Sequence, residues 1–235
     1  MMLITAISNA DNLSVEQYDN LLRVISDSRK DRVKRFLRRE DACRSIVGEA
    51  LARYCISKFW NIPALAIEFL TDEFGKPHVS NKEKIHFSIS HSHEWVVCAV
   101  SNTPVGIDVE KIHKHDPGIA KRFFHEKECE YIESLPDSSK DNAFFELWTL
   151  KESYIKAIGK GLSQPLKSFC ILPDSCQLGM EVFADIPIMH FKQYDIAPDY
   201  KCAACGELQV ALPQEIEKMT PGELGERIMG KEGNR

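Results

Sequence analysis

Apolar and polar positions along this chain alternate with a period of two in some stretches and recur every three to four residues in others. In Val105-Gly106-Ile107-Asp108-Val109-Glu110-Lys111 the apolar side chains point one way and the two carboxylates the other, which predicts a strand. In Trp148-Thr149-Leu150-Lys151-Glu152-Ser153-Tyr154-Ile155-Lys156, Glu152 and Lys156 are four apart and share a helix face, with Trp148 and Lys151 beside them. Residues 1–8 read as a strand and 14–60 as mostly helical, with Asp27-Ser28 as a helix cap and Ile46, Leu51, Tyr54 and Phe59 at helical spacing. Residues 67–70, 85–89 and 95–101 read as strands, and His91-Ser92-His93-Glu94 joins the last two. Phe74-Gly75-Lys76-Pro77 is a predicted turn and residues 136–141 a predicted surface loop.

The second half of the chain echoes the first. Lys34-Arg35-Phe36 and Lys121-Arg122-Phe123 each open a helical stretch, and Ile85-His86-Phe87 followed by 95–100 is matched by Met189-His190-Phe191 followed by 200–204. The expected fold is therefore α+β, with two similar halves related by a pseudo-twofold. An N-terminal half spans 1–102 and a C-terminal half 103–212, while 213–235 is expected to be a polar, mobile tail. A ligand site between two such halves is natural.

Composition narrows the function. Among 235 residues, 43% are hydrophobic and 28% charged, as in an ordinary soluble domain. The net charge of −5 argues against a nucleic-acid binder that relies on bulk positive charge. No apolar run reaches membrane-spanning length, and the N-terminus lacks a basic region ahead of a long apolar core, so neither a membrane span nor a signal peptide is expected. Of the eight cysteines only Cys202 and Cys205 form a C-x-x-C, and reduced thiols are the expected state.

Three carboxylates and two lysines on two rigid elements could hold a hard divalent cation and a polyphosphate together. Each feature alone is commonplace: a solvated strand face, a helix with a Glu–Lys pair, a loop histidine at His91 among Ser88, Ser90 and Ser92, or a basic helix face from Arg29, Arg32, Arg35, Arg38 and Arg39. Gly106 inside a strand marks close approach of a ligand or of backbone. Gly159-Lys160-Gly161 resembles a helix stop and lacks the spacing of a Walker loop. Another metal-dependent phosphotransferase, a nuclease, or a silent binding paralogue remain open on these residues.

Taken in order, Gly75-Lys76-Pro77, Phe87-Ser88-Ile89-Ser90-His91-Ser92, Val105 to Glu110 and Trp148 to Lys156 resemble the 4′-phosphopantetheinyl transferases, in particular the long, monomeric surfactin (Sfp) type. The resemblance runs from about Arg29 to Leu212. It implies transfer of the 4′-phosphopantetheine arm of coenzyme A to a serine of an apo acyl or peptidyl carrier protein, with release of adenosine 3′,5′-bisphosphate. It implies Mg²⁺, with Mn²⁺ as an alternative, on Asp108, Glu110 and Glu152. Glu152 and Lys156 become the catalytic pair, with Glu152 as the first candidate for the base. Lys151, Lys156 and His91 are implied phosphate contacts, Arg29, Arg32, Ser45 and Ser90 surround the 3′-phosphate, and Gly75-Lys76-Pro77 borders the adenine. The carrier is expected to dock along residues 112–135 of a cytoplasmic monomer, in pathways such as nonribosomal peptide antibiotic synthesis. Ser88, Arg29, Arg32 and Ser45 depart from the residues common in the family (Asn, Lys, Lys and Thr) but keep a donor or a charge.

Overall fold

The computed structural model describes residues 1–71, 77–80, 84–159, 161, 164–173, 178–182 and 189–230. The chain opens with strand β1 (Met2–Ile7) and three helices: α1 (Val15–Val24), α2 (Asp27–Val33) and α3 (Arg39–Trp60). Ser14 and Gln17 form a reciprocal capping box on α1. Ser26, one residue before the predicted cap, accepts the Arg29 N–H at the start of α2. α3 ends at Asn61, whose φ of +51° is the left-handed stop asparagine tolerates. A ribbon of β2 (Phe69–Thr71) and β3 (Pro77–Val79) follows, then a hairpin of β4 (His86–Ser92) and β5 (Trp95–Ser101).

The same plan then repeats. β6 (Val105–Lys111) leads to α4 (Pro117–Phe123), α5 (Glu126–Ser134) and α6 (Asp137–Ile158), then the ribbon of β7 (Phe169–Pro173) and β8 (Leu178–Val182), then the hairpin of β9 (Met189–Gln193) and β10 (Tyr200–Glu207). The first sheet runs β1-β5-β4 and the second β6-β10-β9, an identical order by position in each half. The long helices α3 and α6 each have 22 residues. Two α+β halves therefore build the molecule.

Alternation places the layers. The face of the first sheet bearing Ile4, Ala6, Val97 and Ala99 packs on Val105, Ile107, Val109 and Cys202 of the second. Ile7, Cys98 and Val100 on the opposite face pack against α3, while α6 covers the second sheet through Leu150, Tyr154 and Ala157. The order is helix, sheet, sheet, helix. The seven cysteines described are free, and six of them, Cys202 and Cys205 included, are buried. Among the described residues no helix is long and apolar enough to cross a membrane.

Three expectations need correction. Residues 137–141 are the first turn of α6, because Pro136 and Asp137 are residues that start helices as readily as they punctuate loops. Lys34-Arg35-Phe36 follows α2 while Lys121-Arg122-Phe123 closes α4, so neither opens a helix. The chain beyond Pro213 is not a tail throughout. β11 (Glu217–Met219) pairs parallel to β1, and α7 (Pro221–Gly230) packs on the first half through Leu224 and Ile228, which are buried. Glu217 accepts from Lys58 Nζ at 2.9 Å and Arg227 Nη1 at 2.6 Å, and their charges hold its carboxyl below the usual range despite partial burial. Residues 231–235 lie outside the described residues. Leu224→Ala is expected to lower unfolding free energy by about 2–3 kcal/mol in urea titrations; an unchanged midpoint would mean that α7 contributes nothing to the core.

Candidate active site

The two sheets do not share backbone hydrogen bonds along β4 and β6. Alternate serines of β4 bridge them instead. Ser88 Oγ accepts from Ile107 N at 3.2 Å and Ser92 Oγ from Lys111 N at 3.1 Å. Ser92 Oγ donates to Glu110 Oε2 at 2.9 Å, and Ser90 Oγ donates to Asp108 Oδ1 at 2.6 Å. The period of two that sends Phe87 toward α3 sends all three hydroxyls toward β6.

On its other side β6 lies against α6, and Gly106 makes that possible. A Cβ at Gly106 would sit 1.7 Å from Ser153 O and 2.7 Å from Ala157 N. The glycine thus marks close approach of backbone to backbone. With the helix this near, Lys156 Nζ reaches Asp108 Oδ1 at 2.6 Å and Ser90 Oγ at 2.9 Å. Ser90, His91, Asp108, Glu110, Glu152 and Lys156 line one cleft of about 550 Å³, whose apolar wall is Ile89, Phe123, Trp148 and Leu166. Phe123 and Trp148 meet edge to face at 6.1 Å.

The electrostatics are those of partly buried carboxylates crowded together. Burial first, and Asp108 second, push Glu110 up to about 7, against the pull of Ser92 and Lys156. Glu152 is raised for the same two reasons, with Lys156 opposing. The Oδ2 atom of Asp108 is buried without a hydrogen-bond partner. His91 is held below the usual histidine range by desolvation in the cleft, then by Arg44 and Lys156.

A pH prediction follows from Glu110. Its folded value lies above its ordinary 4.5, so the stability tied to its neutral form is fully present below about 4.5 and is lost as pH rises through about 7. In chelator, Glu110→Gln is expected to remove up to about 3 kcal/mol of that loss. Urea unfolding of both proteins across this range checks it; parallel pH profiles would refute it.

A basic strip adjoins the cleft. Arg44 donates to His93 O at 3.0 Å and pairs with Asp41, which sets α3 beside the β4–β5 turn. Arg29 Nη1 reaches the neighbouring Ser45 Oγ at 3.4 Å. Arg32 lines a separate depression with Ser28, Arg35 and Phe36. Gly75 and Lys76 lie outside the described residues, and Pro77 pairs with Thr71 at the start of β3.

Lys151 is placed elsewhere. Its side chain is fully buried, with Nζ 2.7 Å from Glu128 Oε1 and 2.8 Å from Phe169 O. Consecutive helix residues point about 100° apart, so the turn that aims Glu152 into the cleft aims Lys151 away from it. Arg44 and the wall residues Ile89 and Leu166 were given no role from sequence, whereas Ser92 and Trp148 were singled out there. The alternate serines carried a visible period-two signal, whereas the contact of Arg44 is 49 residues away along the chain.

The comparisons with known proteins cover the same residues. The family described as the 4′-phosphopantetheinyl transferase superfamily matches residues 104–205, and "4′-phosphopantetheinyl transferase, N-terminal" matches 12–103. The 4′-phosphopantetheinyl transferase gsp of Aneurinibacillus migulanus is 41% identical over 200 residues, covering 85% of this chain and 84% of the relative. The transferase Sfp of Bacillus subtilis (strain 168) is 36% identical over 213 residues, covering 90% and 95%. The transferase psf-1 of Bacillus pumilus is 35% identical over 211 residues, covering 89% and 90%. These matches take in β4, β6 and α6 together, so the strand of carboxylates and the lysine helix come as one unit: this chain belongs to the 4′-phosphopantetheinyl transferase family.

Proposed function

We propose that this transferase moves the 4′-phosphopantetheine arm of coenzyme A onto a serine hydroxyl of an apo acyl or peptidyl carrier protein, in the cleft between β4, β6 and α6. The serine oxygen forms a bond to the pyrophosphate phosphorus that carries the arm. The bond from that phosphorus to adenosine 3′,5′-bisphosphate breaks. The observation that carries this reading is the convergence of Asp108, Glu110, Glu152, Lys156 and His91 on one cleft beside a basic strip.

Glu152 takes the serine proton. It is the carboxylate on the α6 wall of the cleft, beside Lys156 and facing Asp108. Lys156 and His91 offset charge on the departing bisphosphate. Arg29 and Ser45 bind the 3′-phosphate, with Arg44 beside them. Pro77 borders the adenine.

Asp108, Glu110 and Glu152 would hold Mg²⁺, or Mn²⁺ in its place. The donors suit it: all are carboxylate oxygens, and Asp108 Oδ2 is buried and unpartnered. Among the described residues no three such groups stand ready-made as a metal site, and the Lys156 ammonium sits on Asp108 Oδ1. A cation there would supply charge neutralisation on the pyrophosphate.

The carrier docks along residues 112–135, where Ile119 of α4 is exposed and Phe123 joins the segment to the cleft wall. Both halves of the cleft come from one chain, which supports a monomer as the active unit. Peptidyl carriers of nonribosomal antibiotic synthesis are the first substrates to try. Intact-mass spectrometry of an apo carrier after incubation with coenzyme A and Mg²⁺ is expected to show addition of one arm. No addition to either carrier class would overturn the reading, and turnover of a nucleotide instead would favour a different phosphotransferase.

A further inference from the structure

Each half contains a buried ion pair at a matching place. Arg53 of α3 and Lys151 of α6 are both fourteen residues on from the first residue of their helices, Arg39 and Asp137. Arg53 Nη1 donates to Ile67 O at 2.8 Å, and Lys151 Nζ to Phe169 O at 2.8 Å. Both acceptors directly follow a 3₁₀ turn, over Ala64–Ala66 and Leu166–Ser168. The anionic partner differs in origin: Glu49 reaches α2 from another helix, whereas Glu128 caps its own helix and is joined to the fold by Lys151. Glu49 comes from α3 itself and Glu128 from α5. Each carboxylate accepts the backbone N–H of a short helix's N-cap: Ser26 N to Glu49 at 2.6 Å, and His125 N to Glu128 at 2.8 Å.

The short helices so anchored face different substrates under the function proposed above. α2 carries Arg29 and Arg32, and Glu49 Oε2 also accepts from Arg29 Nε at 3.1 Å, fixing the guanidinium that reaches Ser45. α5 belongs to the segment assigned to the carrier, and Glu128 ties it to β7 through Ile171 N at 2.8 Å. All four charged groups are buried, Lys151 and Glu128 completely. A buried pair is weak support for stability as such, because apolar replacement of both partners is often neutral. Its geometry, however, is unforgiving.

We infer that the two buried pairs are separate positioning devices, one for each substrate: Glu49–Arg53 sets the coenzyme A phosphate pocket, and Glu128–Lys151 sets the carrier-docking helix. The inference rests on the coenzyme A and carrier reading, so wild-type transfer is measured first; its absence would fault that reading and not this one. Paired replacements that leave no lone buried charge, Glu49→Gln/Arg53→Met and Glu128→Gln/Lys151→Met, are then compared by circular dichroism and steady-state kinetics. The first is expected to raise KM for coenzyme A about tenfold and leave that for the carrier within about twofold; the second does the reverse. Equal effects on both substrates, no effect on either KM, or collapse of the fold in both proteins would each overturn it, because the pairs would then be scaffold only.

Discussion

Asp108→Ala and Glu152→Gln are expected to lower transfer to a carrier by about 10²- to 10⁴-fold while both proteins stay folded. Asp108 is the hub of the cleft: it accepts from Ser90 and Lys156, and its charge raises both Glu110 and Glu152. Without it Lys156 keeps Ser90 as a partner but loses the anion that holds it over the cleft, and the unpartnered oxygen offered to a cation is gone. Glu152→Gln is the cleaner probe, since it keeps shape and removes only basicity and charge. Intact-mass assays over a Mg²⁺ titration separate the two roles. A cation ligand lost at either position raises the Mg²⁺ needed for half-maximal rate, whereas the base lost at Glu152 also lowers the plateau at saturating Mg²⁺. Wild-type conversion by both variants would remove the cleft as the active site.

Much of this cleft was legible from sequence because it is built from short periodicities. The alternation through Asp108 and Glu110 and the i,i+4 pair Glu152 and Lys156 each fix one face of one element, and the structure brings those faces together. The repeated order of strands was visible in the two hairpins. Lys151 was misplaced because adjacency in sequence is not adjacency on a helix surface, and its partner Glu128 lies 23 residues back. β11 carried no local signal at all. Its strand partner is at the other end of the chain, where Thr5 Oγ1 reaches Glu217 across 212 positions, and a polar three-residue edge strand reads as a tail until that pairing is seen.

Gly106→Ala tests whether the spacing of β6 and α6 is what makes the site. Ordinary overpacking of a core costs about 1–3 kcal/mol because side chains can shift. Here the new methyl meets backbone, Ser153 O at 1.7 Å and Ala157 N at 2.7 Å, and neither can turn away without moving the helix. Two outcomes are open to the protein, and both are measurable. If α6 is held by its core of Leu150, Tyr154 and Ala157, strain appears as a loss beyond about 3 kcal/mol in urea unfolding. If α6 yields, it carries Glu152 and Lys156 away from Asp108, where Lys156 now sits at 2.6 Å, and transfer falls by about 10²-fold or more from misplacement alone. The closely packed alternative, Gly106→Ala with Ser153→Gly, removes no backbone atom and should not rescue either loss, since the obstructing oxygen belongs to the main chain. Wild-type stability together with wild-type transfer in Gly106→Ala would show that β6 and α6 are not set by this contact, and that the carboxylates tolerate a wider cleft than the fold provides.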